Sequence, residues 1–323
     1  MKFSLASLVK FLISIGIGIG LVYYLQTKIT PEQQIQIVEG IKNIPLWLLV
    51  LSIFLAALAC VVRAFRWKML LEPMGYKPRN STLISSIFIM YLGNLIFPRL
   101  GEVLRCSVLL KEEDVPLDKG IGTMITERIV DILGLGLYVL LAFIFEFDRL
   151  IDIYKQYSSM KGESSLLLPI ILFVSLVLGG IVIWRISKLR EFIRSKIYGV
   201  LEGLKSILKL KNPFLFVFYS LAIYSIYYFS TYILFYAFSE TMNLSLGCGL
   251  VVLIAGTLGV GLTQGGIGAY QVLVTWTLSL YGVSNTIAQT YSWAAWILPT
   301  ATLVIFGIIA WLFLLKRGHG KVS

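Results

Sequence analysis

Asn94-Leu95-Ile96-Phe97-Pro98-Arg99-Leu100-Gly101-Glu102-Val103-Leu104-Arg105 decides how the chain crosses its surroundings. An apolar run from Leu83 to Phe97 leads the backbone into a Pro, an Arg and a Gly, and Arg99, Glu102 and Arg105 follow at i, i+3 and i+6. On a continuous helix these three share a face, with Glu102 between two guanidiniums. An apolar run of about fifteen residues is short for a bilayer crossing, which needs roughly twenty. A short apolar helix that breaks at Pro and Gly and returns carrying charge reads as a re-entrant hairpin. Its irregular backbone survives at membrane depth only against protein or a wet cavity. The alternative is a cytoplasmic loop whose charges meet lipid headgroups.

Outward from this stretch the chain is strongly apolar. Of its 323 residues 58% are hydrophobic and 14% charged, and the mean hydropathy is +0.85. Soluble domains are about a quarter charged, so the sequence reads as a multi-pass membrane protein. The net charge of +11 gives no reason to expect nucleic acid as a partner. The basic residues sit between apolar runs, where they set topology and meet anionic lipid. Cys60, Cys106 and Cys248 are far apart and form no CxxC pair, and His319, the only histidine, lies in the basic tail. No metal site, no Ser/His/Asp triad and no cofactor motif is expected.

The first span is read as Leu5–Leu25, uncleaved, with Gly16 and Gly20 spaced as GxxxG for helix packing. Thr27–Asn43 reads as a polar outer loop, and Pro45 opens a span that closes near Val62 at the cluster Arg63, Arg66 and Lys68. After the charged hairpin, a span over Gly120–Phe145 carries Glu127, Arg128 and Asp131 in its first half. Leu166–Trp184 spans again, and 185–211 reads as a basic amphipathic helix on anionic inner-leaflet lipid. Pro213 starts the next span. Two short apolar pieces, Leu250–Leu262 and Tyr270–Leu280, are joined by Thr263-Gln264-Gly265-Gly266-Ile267-Gly268, and the last span runs from Tyr291 to Leu315.

Placing every basic cluster in the cytoplasm requires each short apolar pair to cross an even number of times. The expected fold is an all-α integral membrane protein of about six full transmembrane helices plus two re-entrant hairpins. The N- and C-termini are then cytoplasmic. Within one domain, 1–44 holds the first span and outer loop, 45–146 a first half, 147–212 a linking span and the amphipathic helix, 213–315 a second half, and 316–323 a basic tail. The two halves are about equal in length and their tips, Pro98 and Gly265, lie at matching offsets. That is the pattern of an inverted repeat whose broken helices meet near the midplane.

Glu127, Arg128 and Asp131 lie inside a long apolar helix, where insertion scales charge about 2.5–3.5 kcal/mol for each at the bilayer centre. With Arg99, Glu102 and Arg105 they make three charges of each sign, a set that can neutralise itself, with Arg128 in reach of Asp131 at i,i+3. Two readings stand: an ion-pair lock between hairpin and helix, or a substrate site.

PRLGEVLR at 98–105, ERIVD at 127–131 and QGGIGAYQ at 264–271 together resemble one family over nearly the whole chain. It is the transmembrane domain of lysylphosphatidylglycerol synthases, the multiple peptide resistance factor of bacteria, with the stand-alone flippase-like proteins that share it. The resemblance implies movement of aminoacylated or other lipids between leaflets. It matches Pro98, Arg99, Gly101, Glu102, Arg105, Glu127, Arg128, Asp131, Gly265, Gly266 and Gly268 to the family's motifs. That family's glycine motif usually begins with Pro and ends in Glu, where this chain has Gln264 and Gln271. The chain stops eight residues after Leu315, so a following aminoacyltransferase domain, and lipid aminoacylation by this chain alone, are not expected.

The function expected is a lipid flippase or transporter for a phosphate-bearing, aminoacylated or plain, lipid, with no catalytic residue and no cofactor. Arg99, Arg105 and Arg128 would meet the phosphate, because a guanidinium donates two parallel hydrogen bonds. Glu102, Glu127 and Asp131 would meet a cationic or hydroxylated headgroup, with Gly265, Gly266 and Gly268 lining the opposite tip. An intramembrane lipid or glycan-lipid transferase, and a scaffold for a separate synthase, are the alternatives. A homo-oligomer is left open.

Overall fold

The computed structural model describes residues 5–149, 151, 152, 155 and 210–319. The expected span Leu166–Trp184 and almost all of the basic helix at 185–211 lie outside the described residues. Among the described residues every regular element is helical. They are α1 (Leu5–Gln26), α2 (Pro31–Lys42), α3 (Leu46–Leu71), α4 (Asn80–Ile96), α5 (Leu100–Glu113) and α6 (Leu117–Phe145), then α7 (Pro213–Ile233), α8 (Leu246–Leu262), α9 (Ala269–Leu280) and α10 (Asn285–His319). The protein is an all-α membrane protein. Four described helical stretches, Leu46–Met74, Leu117–Phe145, Pro213–Ala237 and Asn285–Arg317, are long and apolar enough to cross a bilayer. Their exposed side chains, such as Phe54, Ile132, Phe145, Phe218 and Trp311, are the kind that lipid rather than water covers.

Two hairpins interrupt this set of long helices. α4 packs along α5, and α8 along α9. α4 and α8 have 17 residues each, about 25 Å of helix, less than the roughly 30 Å hydrocarbon thickness. The break after α4 is compact because of Gly101. A Cβ there would lie 1.7 Å from the Met90 carbonyl oxygen, so any side chain would push the two legs apart. Each hairpin has its own core. Trp67, Leu83, Ile87, Leu109 and Phe216 pack around the first, and Leu48, Phe235, Val252, Leu278 and Tyr291 around the second. α3 and α10 run from one core to the other, as Leu48 and Tyr291 in one and Trp67 and Leu314 in the other show.

Three local expectations change. The polar stretch after α1 is not a loop throughout, since Pro31–Lys42 is helical and bends by 110° from α1. Its start is a capping box: the Thr30 hydroxyl accepts from the Gln33 amide N–H, and Gln33 accepts from the Thr30 N–H at 2.9 Å. In α1 the packing glycine is Gly18, whose added Cβ would meet the Ile267 carbonyl at 2.7 Å, whereas Gly16 and Gly20 face open space. α3 does not close near Val62. It continues to Leu71 and carries Arg63 and Arg66 inward, with Arg66 0% exposed.

Candidate functional site

The two hairpins meet tip to tip. At the end of α4 the Phe97 N–H reaches the Gly93 carbonyl at 3.0 Å, and the next helix starts at Arg99, whose backbone is left-handed at φ 65°. Arg99 makes no capping hydrogen bond at the start of α5. Asn94 takes over that work: its Oδ1 accepts from the Gly101 N–H at 2.9 Å. The last carbonyls of α4 would be orphaned in an apolar medium, and here the facing hairpin supplies a donor. Gln264 Nε2 donates to the Asn94 carbonyl at 2.6 Å and approaches the Leu95 carbonyl at 3.3 Å. On the other tip, the Trp296 indole N–H donates to the Gly265 carbonyl at 2.8 Å, and Gln271 caps α9 by accepting from the Gly268 N–H at 2.8 Å.

Next to these tips the charges of α3, α5 and α6 converge. Arg105 is 3% exposed, sits over the Trp67 ring at 4.4 Å and reaches Glu127 at 2.5 Å. Arg66 approaches Glu127 at 3.6 Å and Asp131 at 2.8 Å, and Arg63 holds the other Asp131 oxygen at 3.1 Å. At the more exposed edge Arg128 pairs with Glu102. The partners are therefore not those expected from spacing. Glu102 does not sit between Arg99 and Arg105, because the left-handed backbone of Arg99 takes Arg99 out of the register of α5. Arg128 turns to Glu102, leaving Asp131 to Arg63 and Arg66. Arg99 itself is exposed and has no ion pair or hydrogen bond among the described residues.

All six expected charges, Arg99, Glu102, Arg105, Glu127, Arg128 and Asp131, line one cavity of about 1550 Å³, and Arg63 and Gly265 join them there. Asn94, Gln264, Tyr227 and Trp296 add polar groups to its wall, while Leu55, Ile125, Ile226 and Leu253 make the remainder apolar. Gly266 and Gly268 are not part of the lining, contrary to the expectation for the glycine loop. Gly268, at φ 80°, instead lets α1 approach, since a Cβ there would lie 2.2 Å from the Gly18 carbonyl. Among the described residues no group of His, Cys, Asp and Glu side chains is arranged to hold a metal ion.

Residues 9–307 match the family described as the lysylphosphatidylglycerol synthase TM region. The chain belongs to that family. The UPF0104 membrane protein MJ1595 of Methanocaldococcus jannaschii is 23% identical over 299 residues, covering 84% of this chain and 86% of that protein. The protein named glycosyltransferase AglD of Haloferax volcanii is 32% identical over 76 residues, which is 23% of this chain. The chain spans only 12% of AglD's length. No solved structure matches the chain.

For this lysylphosphatidylglycerol synthase TM-region protein, three contributors escaped sequence reasoning. Arg63 and Arg66 follow an apolar run, and the positive-inside rule assigns such residues to the interface; their i,i+3 spacing on one helical face was the only signal of a shared inward role. With them the cluster is not neutral, as six charges alone suggested. Among the described residues five guanidiniums stand against three carboxylates. Gln264 was read only as a departure from the family's motif, and it is the link between tips. Gln264→Leu keeps most of the volume and removes the donor from a buried carbonyl, which costs about 1–3 kcal/mol. A lowered melting temperature in detergent is the expected result, and an unchanged one would show that water serves the Asn94 carbonyl instead.

Proposed function

We propose that this protein carries a phosphate-bearing lipid between the leaflets of the cytoplasmic membrane. The observation that supports it most is the cavity where the two hairpin tips meet, lined by both guanidiniums and apolar side chains. Guanidiniums bind phosphate through paired hydrogen bonds, and an apolar wall suits an acyl chain. In this reading 45–146 and 213–315 are the two inverted halves, and one rocks against the other to open the site to each leaflet in turn. The basic segment at 185–211 rests on anionic inner-leaflet lipid, each Lys or Arg there contributing about 1 kcal/mol. The termini are cytoplasmic.

Leaflet exchange tests the function directly. Purified protein in liposomes containing a fluorescent phospholipid should let a membrane-impermeant reductant bleach beyond the outer-leaflet share, where protein-free liposomes stop. No excess bleaching with any phosphate-bearing lipid would discard the reading. Orientation has its own test in a background with Cys60, Cys106 and Cys248 replaced. Lys111→Cys should react with an impermeant maleimide only from the cytoplasmic side, and Asn285→Cys only from outside. Both residues are exposed. Labelling of both from one side would contradict two hairpins entering from opposite faces.

A further inference from the structure

The charge partners around the cavity narrow what it can hold. Among the described residues each carboxylate faces a guanidinium: Glu102 meets Arg128, Glu127 meets Arg105 and Arg66, and Asp131 meets Arg63 and Arg66; one Glu127 oxygen, 3.6 Å from Arg66, makes no hydrogen bond. None is left over for an ammonium. On the positive side the balance is open. Among the described residues, four lining guanidiniums and Arg66 behind them stand against three carboxylates, and Arg99 lines the cavity without an ion pair or hydrogen bond there. The Nε groups of Arg63 and of Arg105, the latter 3% exposed, are buried without a hydrogen-bond partner, and both residues line the cavity. Unpaired buried donors are unfavourable, and two guanidiniums have no carboxylate of their own. An occupant that offsets them must bring negative charge and several acceptor oxygens, with no cation of its own.

We infer that the site takes lipids whose headgroup is a terminal phosphate monoester, and that it discriminates against aminoacylated and choline headgroups. A monoester can carry two negative charges and presents three terminal oxygens, matching the excess of two guanidiniums and the orphaned Nε donors. A diester brings one charge and leaves one guanidinium uncompensated. A lysyl or choline group would add positive charge beside Arg63, Arg99 and Arg105. This deepens the lipid-carrier reading and rests on it for the acyl chain, while the headgroup class rests on the charge balance alone.

Phosphatidic acid and phosphatidylmethanol with identical chains differ by one methyl cap, and so by one ionisable oxygen. Binding to the purified full chain in detergent should be at least tenfold tighter for phosphatidic acid, and lysylphosphatidylglycerol and phosphatidylcholine should not compete. Arg99→Gln should shrink the preference several-fold. Leaflet exchange of labelled versions of the same lipids should follow the same order. Equal binding of the capped and uncapped lipids, or a preference for the lysyl lipid, would overturn the monoester inference even if those lipids are exchanged. Tight binding of phosphatidic acid without exchange of any lipid would uphold the headgroup class and overturn the carrier reading. Inorganic phosphate is the remaining arm. If it binds as tightly as phosphatidic acid and no lipid adds affinity, the site is for a free anion and both inferences fall.

Discussion

Arg66→Gln is expected to remove most of the folded protein. Its guanidinium is fully buried, 2.8 Å from one oxygen of Asp131 and 3.6 Å from Glu127, and also lies 3.5 Å from the Ser220 hydroxyl. Taking away one partner of a buried ion pair leaves an uncompensated charge and costs about 3–5 kcal/mol. Proteins are stable by only about 5–15 kcal/mol, so this is a large fraction of the whole. Removing both signs should reverse much of it. Arg66→Gln with Asp131→Asn deletes the 2.8 Å pair and keeps the net charge of the cluster unchanged, so its melting temperature should lie well above that of Arg66→Gln alone. Melting in detergent for the two single changes and the double gives the coupling energy. Were Arg66 an interfacial cytoplasmic residue, as its place after an apolar run suggests, the single change would stay within about 0.5 kcal/mol. That result would refute the buried cluster.

Arg99→Gly should do the reverse, leaving the fold intact and removing the proposed lipid exchange. Arg99 has a left-handed backbone, φ 65° and ψ 1°, which for a residue with a Cβ costs about 1–2 kcal/mol. Glycine meets no such penalty there. It also gives the unfolded chain more freedom, so the net gain in stability should be small, with a melting temperature equal to or slightly above that of the parent. Leaflet exchange should fall at least tenfold, because this guanidinium faces the cavity and is not committed to a carboxylate among the described residues. A residue held in an unfavourable conformation where glycine would fit better points to a task beyond folding. Full exchange by a stable Arg99→Gly protein would take Arg99 out of the mechanism.

The two variants separate the readings that the sequence left side by side. Arg66 and its partners form the ion-pair lock between α3 and α6, and Arg105 extends that lock to α5. Arg99 carries no such duty and is the better probe of substrate. The ion pairs assign the lock to Arg66, Arg105 and their partners, and the proposed substrate role falls to Arg99; neither could be assigned from spacing on one helix.

Hydropathy and the positions of Pro98, Gly101 and Gly265 were enough to indicate an all-helical membrane chain with two short, broken helical pairs. The reason is local: an apolar run either is or is not long enough to span about 30 Å at 1.5 Å per residue. The six charges of the site were legible for the same reason, since each lies where a bilayer makes charge costly. Only the tertiary structure decided their partners. One left-handed residue at Arg99 breaks the register by which Arg99 would have reached Glu102. Asp131 finds Arg66 from 65 positions away, a contact that draws the end of α3 inward and turns an apparent interfacial cluster into a buried one. The Gln264 amide likewise reads as an isolated polar residue until the opposite hairpin brings two unpaired carbonyls beside it. Hydrogen bonds and ion pairs between distant segments leave no period in the sequence, because they depend on which helix ends the fold brings together.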